Sequence, residues 1–365
     1  MLPAEIQRIV LLICLAATGY LLILAWNEDM QDTIDAEYYA SEPDVIASSS
    51  ASDYVANDVP INVQPQQESG DIPALPSPEF GRERTVEMET NRGRLITVTT
   101  PSLKVWIDRE GGDVVRVLLP KFPVQIDRPD VPFVLLDQSQ QRTYIAQSGL
   151  IGADGTDRSG ERPLYVTNKT DFKIDQGETE VVLSANVAGN RVEKIFRFRA
   201  DDYLVDVEYR VTNNKPGPFV AGMFTQIKRD SQPPSLDESI PLAPQPFYGG
   251  ATTTAENRYE KVAFDDLEAG PISFTHEGGW MAFLQHYFVS AWVPPSDEQN
   301  RFEVSRSRDG NYLYRIIGQA KQLAAGEVGV WQSGFYAGPK DQIRLEEIAP
   351  NLNMTVDYGF LWWIA

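Results

Sequence analysis

The alternation of apolar and polar positions divides the chain into three regimes. Ile9 to Trp26 (IVLLICLAATGYLLILAW) is an uncharged run of eighteen residues. As a helix rising about 1.5 Å per residue it spans roughly 27 Å, close to the bilayer core of about 30 Å. Residues 1–26 therefore read as a membrane anchor, with Ile9, Leu15 and Trp26 at its start, middle and end. Residues 27–92 hold no sustained apolar period. From about Leu95 the period becomes two, as half-buried strands require. Tyr203, Val205, Val207, Tyr209 and Val211 share one face, with Asp206, Glu208 and Arg210 on the other. Lys194, Phe196 and Phe198 alternate with Ile195, Arg197 and Arg199, and Leu103, Val105, Ile107 and Tyr312, Tyr314, Ile316 repeat the pattern.

Turn residues punctuate these runs at Gly111-Gly112, Asp154-Gly155, Asn213 to Pro218, Glu277-Gly278-Gly279 and Asp309-Gly310. Trp280 to Val293 is apolar on both parities, which predicts one central strand covered on two faces. More than a dozen strands with almost no helix predict a mainly β domain, a large antiparallel sandwich over residues 93–350. Residues 339–349 (PKDQIRLEEIA) predict a short capping helix with Pro339 in its first turn, Pro350 as a stop, and Ile343, Leu345 and Ile348 for packing. Residues 351–365 close on an aromatic cluster. Tyr358, Trp362 and Trp363 are residue types that a membrane interface attracts. This segment is expected to begin a re-entry into the bilayer that the chain, ending at Ala365, does not complete.

Charge sharpens the middle regime. The net charge is −20, from 32 basic and 52 acidic residues. Twelve acids and no Lys or Arg lie between Asn27 and Phe80, which leaves −8 for the other residues. With Ser48 to Ser50 and five prolines from Pro60 to Pro78, residues 27–92 cannot bury enough surface to offset ordering, and a disordered, extended acidic linker is expected. The surplus of acid argues against nucleic acid as a partner. Arg8 precedes the apolar run and no base follows it until Arg82, so the N-terminus is expected in the cytoplasm. A cleaved signal peptide fits less well, because the run is long and Leu24 to Glu28 lacks small residues at both cleavage positions.

Candidate chemistry is sparse. One cysteine, Cys14, excludes an intrachain disulfide, and His276 and His286 lack metal-ligand spacing. His276, just before a turn, reads as a solvated hairpin residue, and His286, inside the apolar run, as a core histidine. Asp265 and Asp266 read as loop carboxylates. Trp106, Tyr248, Trp280, Trp292 and Trp331 could line a sugar-binding face, although core packing accounts for most of them. No catalytic, metal or cofactor residue is predicted, and no cofactor is expected.

Several ordered motifs carry a family resemblance. They are Gly111-Gly112-Asp113-Val114 with Leu118-Leu119-Pro120, Ala146 to Leu150 leading into Gly152 and Asp154-Gly155, Arg162-Pro163-Leu164-Tyr165, and Tyr259-Glu260-Lys261. Gly278-Gly279-Trp280, Tyr287-Phe288, Ala291-Trp292, Pro294, and Ala349-Pro350 through Thr355 to Gly359 and Leu361-Trp362 complete the set. In these the chain resembles the N-terminal part of the YidC-type membrane protein insertases of Gram-negative bacteria. The resemblance implies a galactose-mutarotase-like β-supersandwich in the periplasm, held to the inner membrane. It also implies non-covalent work: insertion and folding of nascent inner-membrane proteins, alone or with the Sec translocon and its accessory subunits, by a later helical bundle. The β-domain would be a docking or spacer module, and no groove residue of that bundle has a counterpart here. The alternative is a membrane-anchored carbohydrate-binding or mutarotase-like protein, which needs a histidine and a carboxylate converging in a cleft.

Overall fold

The computed structural model describes residues 93–356, apart from 126–127, 140–141, 158–161 and 233–246. The anchor marked by Ile9, Leu15 and Trp26, the acidic linker, and the interfacial Tyr358, Trp362 and Trp363 lie outside the described residues. Among the described residues no helix is long and apolar enough to cross a membrane.

Five strands open the domain: β1 (Leu95–Thr99), β2 (Lys104–Asp108), β3 (Val114–Gln125), β4 (Arg128–Gln138) and β5 (Thr143–Ile151). Next come β6 (Asp171–Lys173), β7 (Glu178–Val187), β8 (Asn190–Arg199), β9 (Leu204–Thr212) and β10 (Phe219–Arg229). Then follow β11 (Gly249–Thr252), β12 (Glu260–Val262), β13 (Ile272–Glu277), β14 (Met281–Leu284) and β15 (Phe288–Val293). The last are β16 (Gln299–Arg306), β17 (Tyr312–Gly318), β18 (Lys321–Leu323) and β19 (Val328–Pro339). Helix α1 (Gln342–Ile348) and a 3-10 turn (Leu352–Thr355) end the described chain.

The strands form two sheets. One runs β13-β16-β17-β10-β5-β4-β3-β2-β1-β6, with β18 also paired to β10; the other runs β12-β11-β14-β15-β19-β9-β8-β7. Pairing is antiparallel throughout the second sheet and in the first except at β1–β6. The predicted alternation sets the inner faces. Val205, Val207, Tyr209 and Val211 of β9 are buried, and so are Phe196 and Phe198 of β8, in one core with Ile96, Val98, Val105, Ile107 and Leu119 of the facing sheet. Burying such a side chain contributes about 1.5–3 kcal/mol.

Two expectations change in the structure. Trp280 to Val293 is a hairpin rather than one strand: β14 and β15 pair through Leu284 and Val289, with a turn at Gln285, His286 and Tyr287. His286 is exposed in this turn and stacks on Tyr287, so it is not a core histidine. Both strands are buried on both faces, and two such strands joined by a short turn have the same apolar signature as one. The helix is also shorter than 339–349. Pro339 pairs with Phe288 at the end of β19, and the Asp341 carboxylate accepts hydrogen bonds from the backbone N–H groups of Ile343 (3.1 Å) and Arg344 (3.2 Å), so α1 starts at Gln342. Leu345 is fully buried, whereas Ile343 is 75% exposed and does not pack.

Candidate functional site

Several of the motifs that carry the family resemblance meet, among the described residues, in two places. The first is an ion cluster between the sheets. The β2–β3 turn needs left-handed backbone at Gly111 (φ 72°) and Gly112 (φ 66°), which delivers Asp113 to the interior. A Cβ on Gly111 would lie 2.3 Å from Cζ of Arg162, and one on Gly149 would lie 2.4 Å from Cγ of Asp157. Glycine here makes room for ions.

Arg162 pairs with Asp113, and its Nε donates to Asp157 at 2.9 Å. A second guanidinium nitrogen donates to the Ser148 carbonyl at 2.7 Å. Lys194 Nζ donates to the carbonyls of Gly111 (3.0 Å) and Ser148 (3.2 Å) and lies over the rings of Phe196 and Tyr209. Gln147 donates to Asp113 at 2.7 Å and accepts from Gln226 at 2.7 Å, and Arg315 donates to Gln226 at 3.0 Å. Burial pulls the Lys194 ammonium down to about 7, against the attraction of Asp113. Burial likewise raises the Asp113 carboxyl, with Arg162 and Lys194 opposing. For Arg162 burial disfavours the charge, but Asp113 and Asp157 outweigh it and hold the guanidinium above its ordinary value. The cluster ties β5, β8 and the β2–β3 turn to Asp157 and Arg162. Its charged side chains are buried and bonded to one another and to the backbone, as suits a cluster that holds the fold together.

The second place is the joint with the C-terminal helix. Trp280 is fully buried and its Nε1 donates to the Pro350 carbonyl at 3.1 Å, with the Tyr259 ring 6.2 Å from its own. Leu345, Ala349 and Leu352 pack on Ala251, Ala282, Leu284 and Ala291, which covers part of the outer face of the second sheet. Arg344 clasps Asp202 through two hydrogen bonds, 2.6 and 3.2 Å, and the Lys340 N–H donates to the Tyr287 carbonyl at 2.9 Å. Beside this joint lies a cleft of about 390 Å³ lined by Thr253, Glu256, Arg258, His276, Glu277 and Asn351, among others. A second cleft, of about 630 Å³, is lined by Gly177, Arg199, Asp201, Tyr203, Tyr336 and Asp341, among others.

The other candidate residues occupy separate places. His276 is on edge strand β13, half-buried, and its Nδ1 has no hydrogen-bond partner, so it is more enclosed than a solvated hairpin residue. Asp265 and Asp266 are exposed on a 3-10 turn. Trp106, Trp280, Trp292 and Trp331 are all core residues, as packing predicted. Sequence reading missed Lys194 as an ion, since it stood among apolar neighbours of one face; a charged residue at an inward-facing position was the available signal.

The described residues thus form a two-sheet β-sandwich closed by a short helix, with motif residues gathered at an internal ion cluster and at a terminal joint. Residues 95–365 match the family model of the YidC periplasmic domain. The membrane protein insertase YidC of Stutzerimonas stutzeri is 38% identical over 369 residues, covering 99% of this chain and 63% of that protein. That of Azotobacter vinelandii is 37% identical over 366 residues, with the same coverage of 99% and 63%. That of Saccharophagus degradans is 43% identical over 274 residues, 74% of this chain and 49% of that protein. The chain belongs to the YidC family, and it spans less than two-thirds of the length of these relatives. Among solved structures, a galactose mutarotase related enzyme from Lactobacillus acidophilus has a TM-score of 0.42 at 9% identity, over 67% of this chain and 97% of that one. A likeness that remote carries nothing about activity.

Proposed function

We propose that this chain is the anchor and accessory domain of an inner-membrane insertase. It works without a cofactor or covalent chemistry, with Ile9–Trp26 in the bilayer and the β-domain in the periplasm. The supporting observation is the match of residues 95–365 to the YidC periplasmic domain, together with relatives named membrane protein insertase over nearly the whole chain. The domain is a spacer and docking module. Its rigid tie to α1 fixes where the chain departs toward Tyr358, Trp362 and Trp363, which sit at the membrane interface. The clients are nascent inner-membrane proteins, and the Sec translocon with its accessory subunits is the partner on the periplasmic side.

Alkaline phosphatase fused after residue 100 tests the orientation: activity is expected, and an inactive fusion overturns the periplasmic placement. Photo-crosslinkers at exposed positions of the β-domain, in cells carrying the whole insertase, test the docking role through adducts with Sec subunits. A complete absence of such adducts, with the protein present at normal level, overturns the Sec partnership.

A further inference from the structure

The cleft at the C-terminal joint holds groups that the fold itself does not use. Arg258, Glu256 and Glu277 line it, and none of the three makes an ion pair with another described residue. His276 Nδ1 is buried there without a hydrogen-bond partner. The fold thus leaves this ring nitrogen unmatched. The floor is kept open by the turn at Gly278-Gly279. A Cβ on Gly279 would lie 2.9 Å from Cγ2 of Thr253 and 3.3 Å from His276 Nδ1. Asn351 enters with φ 65°, a left-handed conformation that asparagine adopts more readily than most residues other than glycine. The two segments most characteristic of the resemblance, Gly278-Gly279-Trp280 and Ala349-Pro350, thus meet at this cleft.

Its chemistry selects a ligand class. A guanidinium and an imidazole lining one cleft suit a phosphate, and two carboxylates lining the same cleft suit an ammonium with N–H donors. We propose that the cleft binds a zwitterion of the phosphoethanolamine type, presented by a membrane lipid. The lipid source rests on the membrane reading of residues 358–365. Asn351 is seven residues before Tyr358, so the chain can separate them by at most about 25 Å. A bilayer surface at Tyr358 therefore keeps the cleft near lipid headgroups.

The test uses the full chain in lipid-free detergent micelles, titrated calorimetrically with glycerophosphoethanolamine. Binding is expected, and Arg258→Glu and His276→Phe should each weaken it at least tenfold without lowering the thermal unfolding midpoint. Glu277→Gln should reduce the preference over glycerophosphoglycerol several-fold. Inorganic phosphate binding as tightly as glycerophosphoethanolamine would overturn the zwitterion, as would galactose competing for the same groups. Absence of binding overturns the site altogether. In nanodiscs, a photo-crosslinker at Ser296, which also lines the cleft, should capture phosphatidylethanolamine and not phosphatidylglycerol. Soluble headgroup bound without that adduct overturns the lipid source. Quenching of a fluorophore at position 362 by brominated lipid reports on the membrane reading alone. No quenching there removes that reading, while the calorimetric titration still decides whether the site binds.

Discussion

Two of the regions where arginine meets carboxylate in this domain differ in burial, and burial makes them different devices. Between the sheets, Arg162 has 4% of its side chain exposed, and its partners Asp113 and Asp157 have 9% and 0%. On the outer face of the second sheet, Arg197 bridges Glu180 (2.7 Å) and Glu208 (2.8 Å), while Arg199 reaches Glu178 (3.1 Å) and Arg191 reaches Glu193 (2.7 Å). Register builds this lattice, since Glu180 stands opposite Arg197 across β7–β8, and Glu193 opposite Arg210 across β8–β9. The inner cluster has lost its water and depends on every partner being present. The outer lattice keeps its water, and each pair can be replaced by hydration. The inner one specifies how the sheets meet; the outer one keeps an uncovered sheet face soluble.

Removing Arg162 is the sharpest way to break the contrast. Arg162→Ala leaves Asp113 and Asp157 buried without their common cation, and a loss of about 3–5 kcal/mol is expected. Urea unfolding followed by circular dichroism measures it. A loss under about 1 kcal/mol would put the inner cluster in the same class as the outer lattice.

The inner cluster also predicts a pH dependence that the outer one lacks. In the folded chain Lys194 gives up its proton near 7, whereas the unfolded chain keeps it to about 10.5. Unfolding between these values takes up a proton, so this residue makes stability rise with pH, by about 2 kcal/mol from pH 7 to pH 9. The raised carboxyl of Asp113 acts in the opposite sense, so the informative quantity is the difference from a Lys194→Met chain. The variant should lose the rising component, and equal slopes in the two chains would contradict it.

The joint with α1 lies between the extremes: it combines the part-exposed Arg344–Asp202 ion pair with a neutral hydrogen bond from the buried Trp280. Trp280→Phe keeps most of the buried ring but removes the bond from Nε1 to the Pro350 carbonyl. A loss of about 1 kcal/mol is expected, concentrated as faster amide exchange in residues 345–349. Uniform acceleration over the whole domain would instead mean that the bond supports the sandwich rather than the joint.

The two regions were legible in the sequence to different degrees. The outer lattice follows from period-two alternation, which by itself puts Arg197 and Arg199 opposite the apolar face. The same alternation places Lys194 inward with Phe196 and Phe198, but a charge in a core has no meaning until its partners are known. Those partners, Gly111 and Ser148, are 83 and 46 residues away in sequence, and no local pattern connects them. The hairpin at Gln285 to Tyr287 was hidden for another reason. The cover supplied by α1 buries β14 and β15 on both faces and erases the alternation by which separate strands are recognised. The glycine motifs were visible as turns, while their second use, as room for Arg162, Asp157 and the cleft at Gly279, exists only in three dimensions.

The smallest effect is expected on the outer face, and it decides whether that lattice is a stabilising element or a solubility device. Arg197→Ala removes two short ion pairs, yet the Arg197 and Glu180 side chains are 24% and 49% exposed, so water replaces much of what is lost. The cost should be below about 1 kcal/mol. It should also shrink as salt is raised, since the screening length falls from about 8 Å at physiological ionic strength to about 3 Å at 1 M. Glu208 is the weak point of this expectation, because its side chain is only 8% exposed. It retains Arg210 at 2.7 Å after the substitution, however, and is not left as an unpaired buried charge. Denaturation of Arg197→Ala at low and high salt, alongside the Arg197→Ala, Arg210→Ala double variant, separates the possibilities. A large, salt-independent loss in the single variant would show that the outer lattice behaves as the inner cluster does. A loss that appears only in the double variant would locate the boundary between the two behaviours at Glu208.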